Sequence, residues 1–139
     1  MAFVHGKNTH ISIDDESGTL VDISSYSDSV SGLPGAVELA TITGCGDRGV
    51  KSIPGLENTT FSVSGSYEDT TLDGVIAGLA KRETTTTFEY GPAGSATGKR
   101  KLSGECWCTS VTIESSVSDK TSWSAEFQVD GVVELGVFD

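Results

Sequence analysis

The segment Thr121–Gly131, TSWSAEFQVDG, puts Trp123, Ala125, Phe127 and Val129 on one side of an extended chain. Ser122, Ser124, Glu126, Gln128 and Asp130 fall on the other. Successive side chains of a strand point to opposite faces, so this period of two specifies a half-buried strand. A slip of one residue would put an indole and a phenyl ring into water, which fixes the register. The apolar side must meet a core. The wet side can look at bulk water, at a ligand or into an enclosed passage, and the functional question reduces to which.

Other segments repeat the pattern. Phe61, Val63, Gly65 and Tyr67 share a face, with Ser62, Ser64 and Ser66 opposite. In Ala36–Thr43, Val37, Leu39 and Thr41 alternate against Glu38, Ala40 and Ile42. Thr84–Tyr90 is rich in β-branched threonine, which favours strand. His10–Ile13 and Thr19–Ile23 alternate weakly around the acidic turn Asp14-Asp15-Glu16-Ser17-Gly18. In the long stretch Arg100–Ser115, Leu102, Gly104, Cys106 and Cys108 share one face, and Trp107, Thr109, Val111 and Ile113 the other. One account of this pattern is that the buried face switches near Trp107, which a β-bulge can do. Thr121–Asp130 is expected to pair with this stretch antiparallel, across SSVSDK.

One segment breaks the alternation. In Asp69–Arg82, Leu72, Val75, Ile76, Leu79 and Ala80 follow the i, i+3, i+4, i+7, i+8 stripe of an amphipathic helix. Thr70 and Asp73 form a capping-box pattern, with Asp in place of the preferred Glu. Lys81 and Arg82 suit the negative end of the helix dipole. Gly74 and Gly78 each cost about 1 kcal/mol relative to Ala, so the helix depends on docking its stripe onto a sheet.

The expected fold is mainly β: an antiparallel β-sandwich or barrel with one flanking α-helix, in a single domain spanning residues 1–139. Residues 1 to about 8 read as a flexible N-terminal arm. Residues 22–35 read as irregular chain with turn residues throughout. Gly44–Asn58, with four glycines, one proline and no period, reads as a long loop, and loops of that length are usually functional. The apolar tail Val132, Val133, Leu135, Val137 and Phe138 has to dock on its own domain or on a neighbour.

The formal net charge is −11, from 20 acids against 9 bases. The one basic cluster is Lys99-Arg100-Lys101. Sequence-independent nucleic-acid binding needs many clustered cations to displace phosphate counterions, so the balance argues against a surface that holds nucleic acid. It is compatible with one that repels it. No segment approaches a membrane span, and the N-terminus shows neither the apolar core nor the cleavage pattern of an export signal. The three cysteines, Cys45, Cys106 and Cys108, read as reduced thiols, because residues two apart on a strand diverge and pair poorly. No metal or cofactor is expected.

Catalytic patterns are thin. Both histidines, His5 and His10, precede residue 11, so a Ser/His/Asp set would have to be built from the N-terminal arm. GPAGSATGK mimics a phosphate-cradling loop, but Ala93 stands where its first glycine should be and Arg100 where a magnesium-binding hydroxyl should be. The expected answer is that the chain is not an enzyme. A carbohydrate-binding β-sandwich module is an alternative, and Trp107 is its one candidate for an exposed aromatic.

Four stretches, DISSYSDSVSG (Asp22–Gly32), IPGLENTTFSVSGSYED (Ile53–Asp69), YGPAGSATGKRKLSGE (Tyr90–Glu105) and WSAEFQVDGVV (Trp123–Val133), resemble the major tail tube protein of long-tailed bacteriophages with non-contractile tails. Their order and spacing match that family from about residue 19 to 133. The Cys106-Trp107-Cys108 stretch and the C-terminal tail fall outside the resemblance, and nothing is carried over there.

The resemblance implies a β-sandwich with a flanking helix, six copies closing into a ring lined by a continuous β-barrel, and rings stacking into a virion tail tube assembled in the host cytoplasm. It implies tape-measure, tail terminator and distal tail proteins as partners, and DNA passing through without specific binding. A related tail ring or terminator protein is the nearest alternative. On this reading Glu114, Glu126, Gln128 and Asp130 face the lumen. Asp22, Ile23, Tyr26, Asp28 and Val30 lie in an arm that crosses to an adjacent subunit. Asp47, Arg48, Lys51, Ile53, Pro54, Leu56 and Glu57 reach the next ring.

Overall fold

The structure is a computed structural model that describes residues 3–80 and 83–139, and the elements below are those of the described residues. Ten strands and one helix follow one another as β1 (His10–Asp14), β2 (Leu20–Asp22), β3 (Ser27–Ser31), β4 (Val37–Thr41), β5 (Ser52–Glu57), β6 (Thr60–Ser66), α1 (Thr71–Leu79), β7 (Thr86–Gly91), β8 (Arg100–Ser116), β9 (Asp119–Val129) and β10 (Glu134–Val137). Short 3₁₀ turns occupy Gly6–Asn8 and Ser24–Tyr26.

Eight strands form one antiparallel sheet in the order β2-β1-β7-β8-β9-β6-β3, with β10 pairing β8 beyond the end of β9. This sheet folds over on itself. Phe61 of β6 and Phe88 of β7 are separated by two strands in the sheet order, yet their rings lie 4.8 Å apart. Phe127 stacks on Phe61 at the same separation. The apolar sides of β1, β6, β7 and β9 thus face one another around Ile11, Ile13, Val63, Trp123, Ala125 and Val129. Each fully buried large apolar side chain contributes about 1.5–3 kcal/mol. The indole Nε1 of Trp123 donates to the Tyr26 carbonyl at 2.9 Å, so the core's largest side chain leaves no donor unmet.

The helix packs beside β1 and β8 and adds Leu72, Val75, Ile76 and Leu79 to this core. Its start differs from the capping box expected from Thr70 and Asp73, because Thr70 makes no side-chain cap. The carboxylate of Glu68 accepts from the backbone N–H groups of Thr70 (2.6 Å), Thr71 (3.1 Å) and Leu72 (3.1 Å), and from the Thr70 hydroxyl. That hydroxyl, followed by the backbone donors, holds the Glu68 carboxyl down at about 2. Asp73 instead accepts from the Tyr67 hydroxyl at 2.5 Å, which pushes the tyrosine up. Gly78 answers the question raised by a glycine in a helix: a Cβ there would stand 2.6 Å from the Glu16 nitrogen, so the helix rests directly on the β1–β2 turn. Lys81 and Arg82, expected at the helix C-terminus, lie outside the described residues, as do the first two residues of the expected N-terminal arm.

Candidate functional site

The bulge expected in β8 sits at Thr109. Cys108 pairs with Phe127 and Ser110 with Glu126, so Thr109 is the extra residue. Before it, Leu102 and Cys106 point into the core. After it, Val111 and Ile113 lie opposite Ala125 and Trp123, on the core side, and Thr112 and Glu114 are turned outward.

The bulge completes a continuous polar surface on four adjacent strands. The wet side of β9, Ser122, Ser124, Glu126 and Gln128, is flanked on β6 by Ser66, Ser64, Ser62 and Thr60. On β8 it is flanked by Glu114, Thr112, Ser110 and Trp107. Beyond β6, Ser29 and Ser31 of β3 lie opposite Ser64 and Ser62. Neighbouring hydroxyls bond across strands, Ser31 to Ser62 and Thr112 to Ser124, both at 3.0 Å. At the β8–β9 turn, Lys120 sits 3.7 Å from Asp28. Glu114 and Glu126 make no ion pair among the described residues. The face is a hydroxyl lawn carrying uncompensated negative charge.

The four residues expected to face a lumen are placed as follows. Glu114 and Glu126 are exposed on this face. Gln128 is half-buried, because its amide donates to the Asn58 side chain at 2.7 Å. Asp130 lies just past the end of β9, its backbone donating to the Glu105 carbonyl at 2.8 Å.

Among the described residues, this four-stranded surface ends in two edges that lack a strand partner over part of their length. β7 pairs with β8 over Leu102–Cys106, and beyond the bulge Ser110–Ser116 has no strand on that side among the described residues. On the far side, β3 pairs only with β6. The outer edge of β3 looks into a groove of about 550 Å³, lined by Ser27, Asp28, Ser29 and Val30 and across from them by His5, Gly6 and Lys7.

The second feature is a hairpin, β4–β5, that forms a separate two-stranded sheet standing off the main one. It springs from the end of the sheet where Asn58 meets Gln128, and the Asn58 N–H donates to the Ala36 carbonyl at its base. The stretch expected as a loop without period is therefore partly strand, with β5 at Ser52–Glu57. The sequence hid it because Pro54 and Gly55 interrupt the pattern and a bulge shifts its register with β4. At the tip, Asp47 accepts from the Gly44 N–H at 2.7 Å and pairs with Lys51 at 3.0 Å. The Gly44 N–H, then Lys51, holds the Asp47 carboxyl below the usual range. Exposed along the hairpin are Val37, Leu39, Ile42, Val50, Ile53 and Leu56.

Residues 22–35 differ from the irregular, crossing arm expected of them: Ile23 is 0% exposed in the core and Ser27–Ser31 is the edge strand β3. Ile23 is therefore unavailable to another subunit. Tyr26 is half-buried against the core. Asp22, Asp28 and Val30 stay at the surface or edge. The apolar tail docks its backbone on its own domain as β10, leaving Leu135 and Val137 exposed.

His10 belongs to a strand, in keeping with the alternation of His10–Ile13, and not to the N-terminal arm. It lies on β1, with Nε2 2.9 Å from the Ser12 hydroxyl and Nδ1 3.6 Å from Asp22. That connectivity matches a hydrolytic triad, but Ser12 is only 4% exposed and no substrate can approach its hydroxyl. Trp107 is 40% exposed, yet its cross-strand neighbour is Gln128 and it stands alone rather than in the aromatic row a sugar platform needs.

No family model matches the chain, and neither does any curated protein sequence. Solved structures do match. The tail of an empty gene transfer agent particle, determined with C6 symmetry, superposes with a TM-score of 0.77 at 16% identity, covering 97% of this chain and 100% of that one. The SPP1 tail tube gives 0.76 at 14% identity, covering 99% and 81%. The sheath/tube terminator of an extracellular contractile injection system gives 0.67 at 15%, covering 99% of each chain. The chain has the tail-tube fold, with one helix flanking a folded-over antiparallel sheet.

Proposed function

We propose that this protein is a structural virion component that closes head to tail into hexameric rings, which stack into a phage tail tube. The observation that carries the reading is the four-stranded polar surface with an open edge on each side. An unpaired edge is a template for strand addition, and a rotation that joins unlike edges generates closed rings. Pairing the open stretch of β8 in one copy with β3 of the next satisfies both edges and joins the polar surfaces into one continuous wall. The structural likeness to the tail of a particle with C6 symmetry supports six copies per ring.

The wall chemistry supports a conduit for DNA. Phosphate is repelled by Glu114 and Glu126, and Lys120, the lysine on this face among the described residues, is paired with Asp28, so a duplex can slide without being held. The sequence DNA carries is irrelevant to such a surface. A tape-measure protein would fill the bore during assembly in the host cytoplasm, and terminator and distal tail proteins would bound the stack. Chemistry is not required of the subunit on this reading. The hairpin, with Asp47, Arg48, Lys51, Ile53, Pro54, Leu56 and Glu57, would engage the next ring.

Negative-stain electron microscopy of the concentrated purified protein tests this. Long tubes of uniform width are the expected result. Rings that never stack would assign the protein to the terminator class instead, whose fold is similar. A monomer at every concentration would overturn self-assembly.

A further inference from the structure

In a chain with 20 acids and 9 bases, four of the bases gather at one end of the fold. Lys99 precedes β8, Arg100 and Lys101 open it, and Lys7 lies in the 3₁₀ turn Gly6–Asn8. The two places meet because the β7–β8 turn packs on the N-terminal segment: a Cβ at Gly94 would stand 3.1 Å from the Asn8 carbonyl oxygen. The C-terminal residues hold the cluster in shape. The Phe138 N–H donates to the Lys99 carbonyl at 3.0 Å, and the Phe138 carbonyl accepts from the Gly98 N–H at 2.8 Å. The Phe138 ring sits over Gly91, where a Cβ would stand 2.8 Å from its Cε2, and meets the His10 ring at a right angle, 5.6 Å away. Lys101 Nζ stands 5.7 Å over the same ring, and Arg100 donates to the Gly136 carbonyl at 3.2 Å. These contacts place the cations without neutralising them. Among the described residues none of the four makes an ion pair, whereas Lys51 and Lys120 pair with Asp47 and Asp28.

Copies that each carry a net charge of −11 repel one another, so self-assembly needs contacts where unlike charges meet. A two-fold interface through this end would set the cluster against itself. A head-to-tail contact sets it against a different surface, and acids outnumber bases over the rest of this chain. Four cations make a poor site for nucleic acid when the surrounding surface repels phosphate. We propose that this basic end docks on an acidic patch of a second copy of the chain and orients the incoming subunit. Complementary charge of this kind sets orientation and speeds encounter more than it adds affinity. The inference rests on the self-assembly reading above and adds to it a contact surface separate from the polar wall and the hairpin. It also gives the C-terminal strand a task, since β10 and Phe138 hold Lys99, Arg100 and Lys101 in place for that contact.

Zero-length carbodiimide crosslinking tests it, because the reagent joins an amine to a carboxylate only where the two touch. Tubes assembled from equal amounts of ¹⁵N-labelled and unlabelled chain are treated, digested and read by mass spectrometry. The expected product is an amide between Lys7, Lys99 or Lys101 and an Asp or Glu of another copy, absent from dilute subunits. Tubes that form without any such link would overturn the inference and leave the assembly reading intact. The double variant Lys7→Glu, Lys99→Glu is measured alongside, with Arg100 and Lys101 kept so that the tail stays docked. It is expected to raise the critical concentration for tubes about tenfold at low salt, with the gap to wild type closing as salt rises. Assembly of this variant at the wild-type concentration in low salt would overturn the docking role. Duplex DNA retained by the wild type and released by the variant would assign the cluster to nucleic acid instead. A wild-type protein that forms no tubes would sink the assembly reading itself, and this inference with it.

Discussion

Gly74 and Gly78 occupy the same short helix, so replacing each with alanine separates helix propensity from packing. At Gly74 an added Cβ meets nothing within 4 Å. Gly74→Ala should therefore gain the full propensity difference, about 1 kcal/mol. At Gly78 the same atom stands 2.6 Å from the Glu16 nitrogen, 2.7 Å from its Cα and 2.8 Å from the Asp15 carbonyl carbon. All three are backbone atoms, so no side-chain rotation relieves the contact. Ordinary contact begins near 3.4 Å, and reaching it requires the helix or the β1–β2 turn to move by roughly 0.8 Å. Overpacking of this kind costs about 1–3 kcal/mol, which cancels or exceeds the propensity gain. The two variants should thus differ by about 1–3 kcal/mol in unfolding free energy, with Gly74→Ala above wild type and Gly78→Ala at or below it. Urea unfolding at constant m reads this directly, and thermal midpoints should move by about 4 °C per kcal/mol. If Gly78→Ala stabilised as much as Gly74→Ala, the helix would not rest on that turn, and the packing argument for α1 would fail.

Two further outcomes are expected. Glu68 has its carboxyl lowered to about 2 from an ordinary 4.5, so its capping contribution is present above pH 4.5 and is lost as pH falls toward 2. The stability gap between wild type and Glu68→Ala should therefore narrow from pH 6 to pH 2.5 in urea titrations; an undiminished gap at the acid end would remove Glu68 as the cap. The paired change Glu114→Lys and Glu126→Lys should spare assembly but slow DNA release from particles by about tenfold or more at low salt, with the deficit shrinking as salt rises. Release at the wild-type rate in all salts would mean that these side chains do not line the conduit.

Much of this architecture was legible because burial writes a period into the chain. β6 and β9 carry one apolar and one hydroxyl face, and the structure pairs them residue for residue, Phe61 with Phe127 and Ser62 with Glu126. The helix stripe from Leu72 to Leu79 was equally plain, and so was the switch of buried face in β8, since Cys106 and Val111 cannot both point inward without an extra residue between them. What stayed hidden lacked that imprint. In β3, Ser27–Ser31, Val30 is the sole apolar residue, so an edge strand read as irregular chain. In β5 the residues are exposed on both sides within the subunit, and no single-chain core imposes alternation on them. The Glu68 cap lacks a pattern signal because its carboxylate reaches the first turn from two residues before the N-cap position, Thr70, whose own hydroxyl makes no cap. Ile23, surrounded by Ser and Asp, gave no sign that it closes the core.

The position of the hairpin has one more consequence. It leaves the sheet beside Asn58 and Gln128, at the end of β9 remote from the β8–β9 turn. A subunit with its arm at one extremity is a vector, and in the stack proposed above the two ends would be chemically unlike: one would present free hairpins, the other the surface that receives them. Growth from the two ends would then proceed by different encounters, and two caps that share no surface would be needed to bound it.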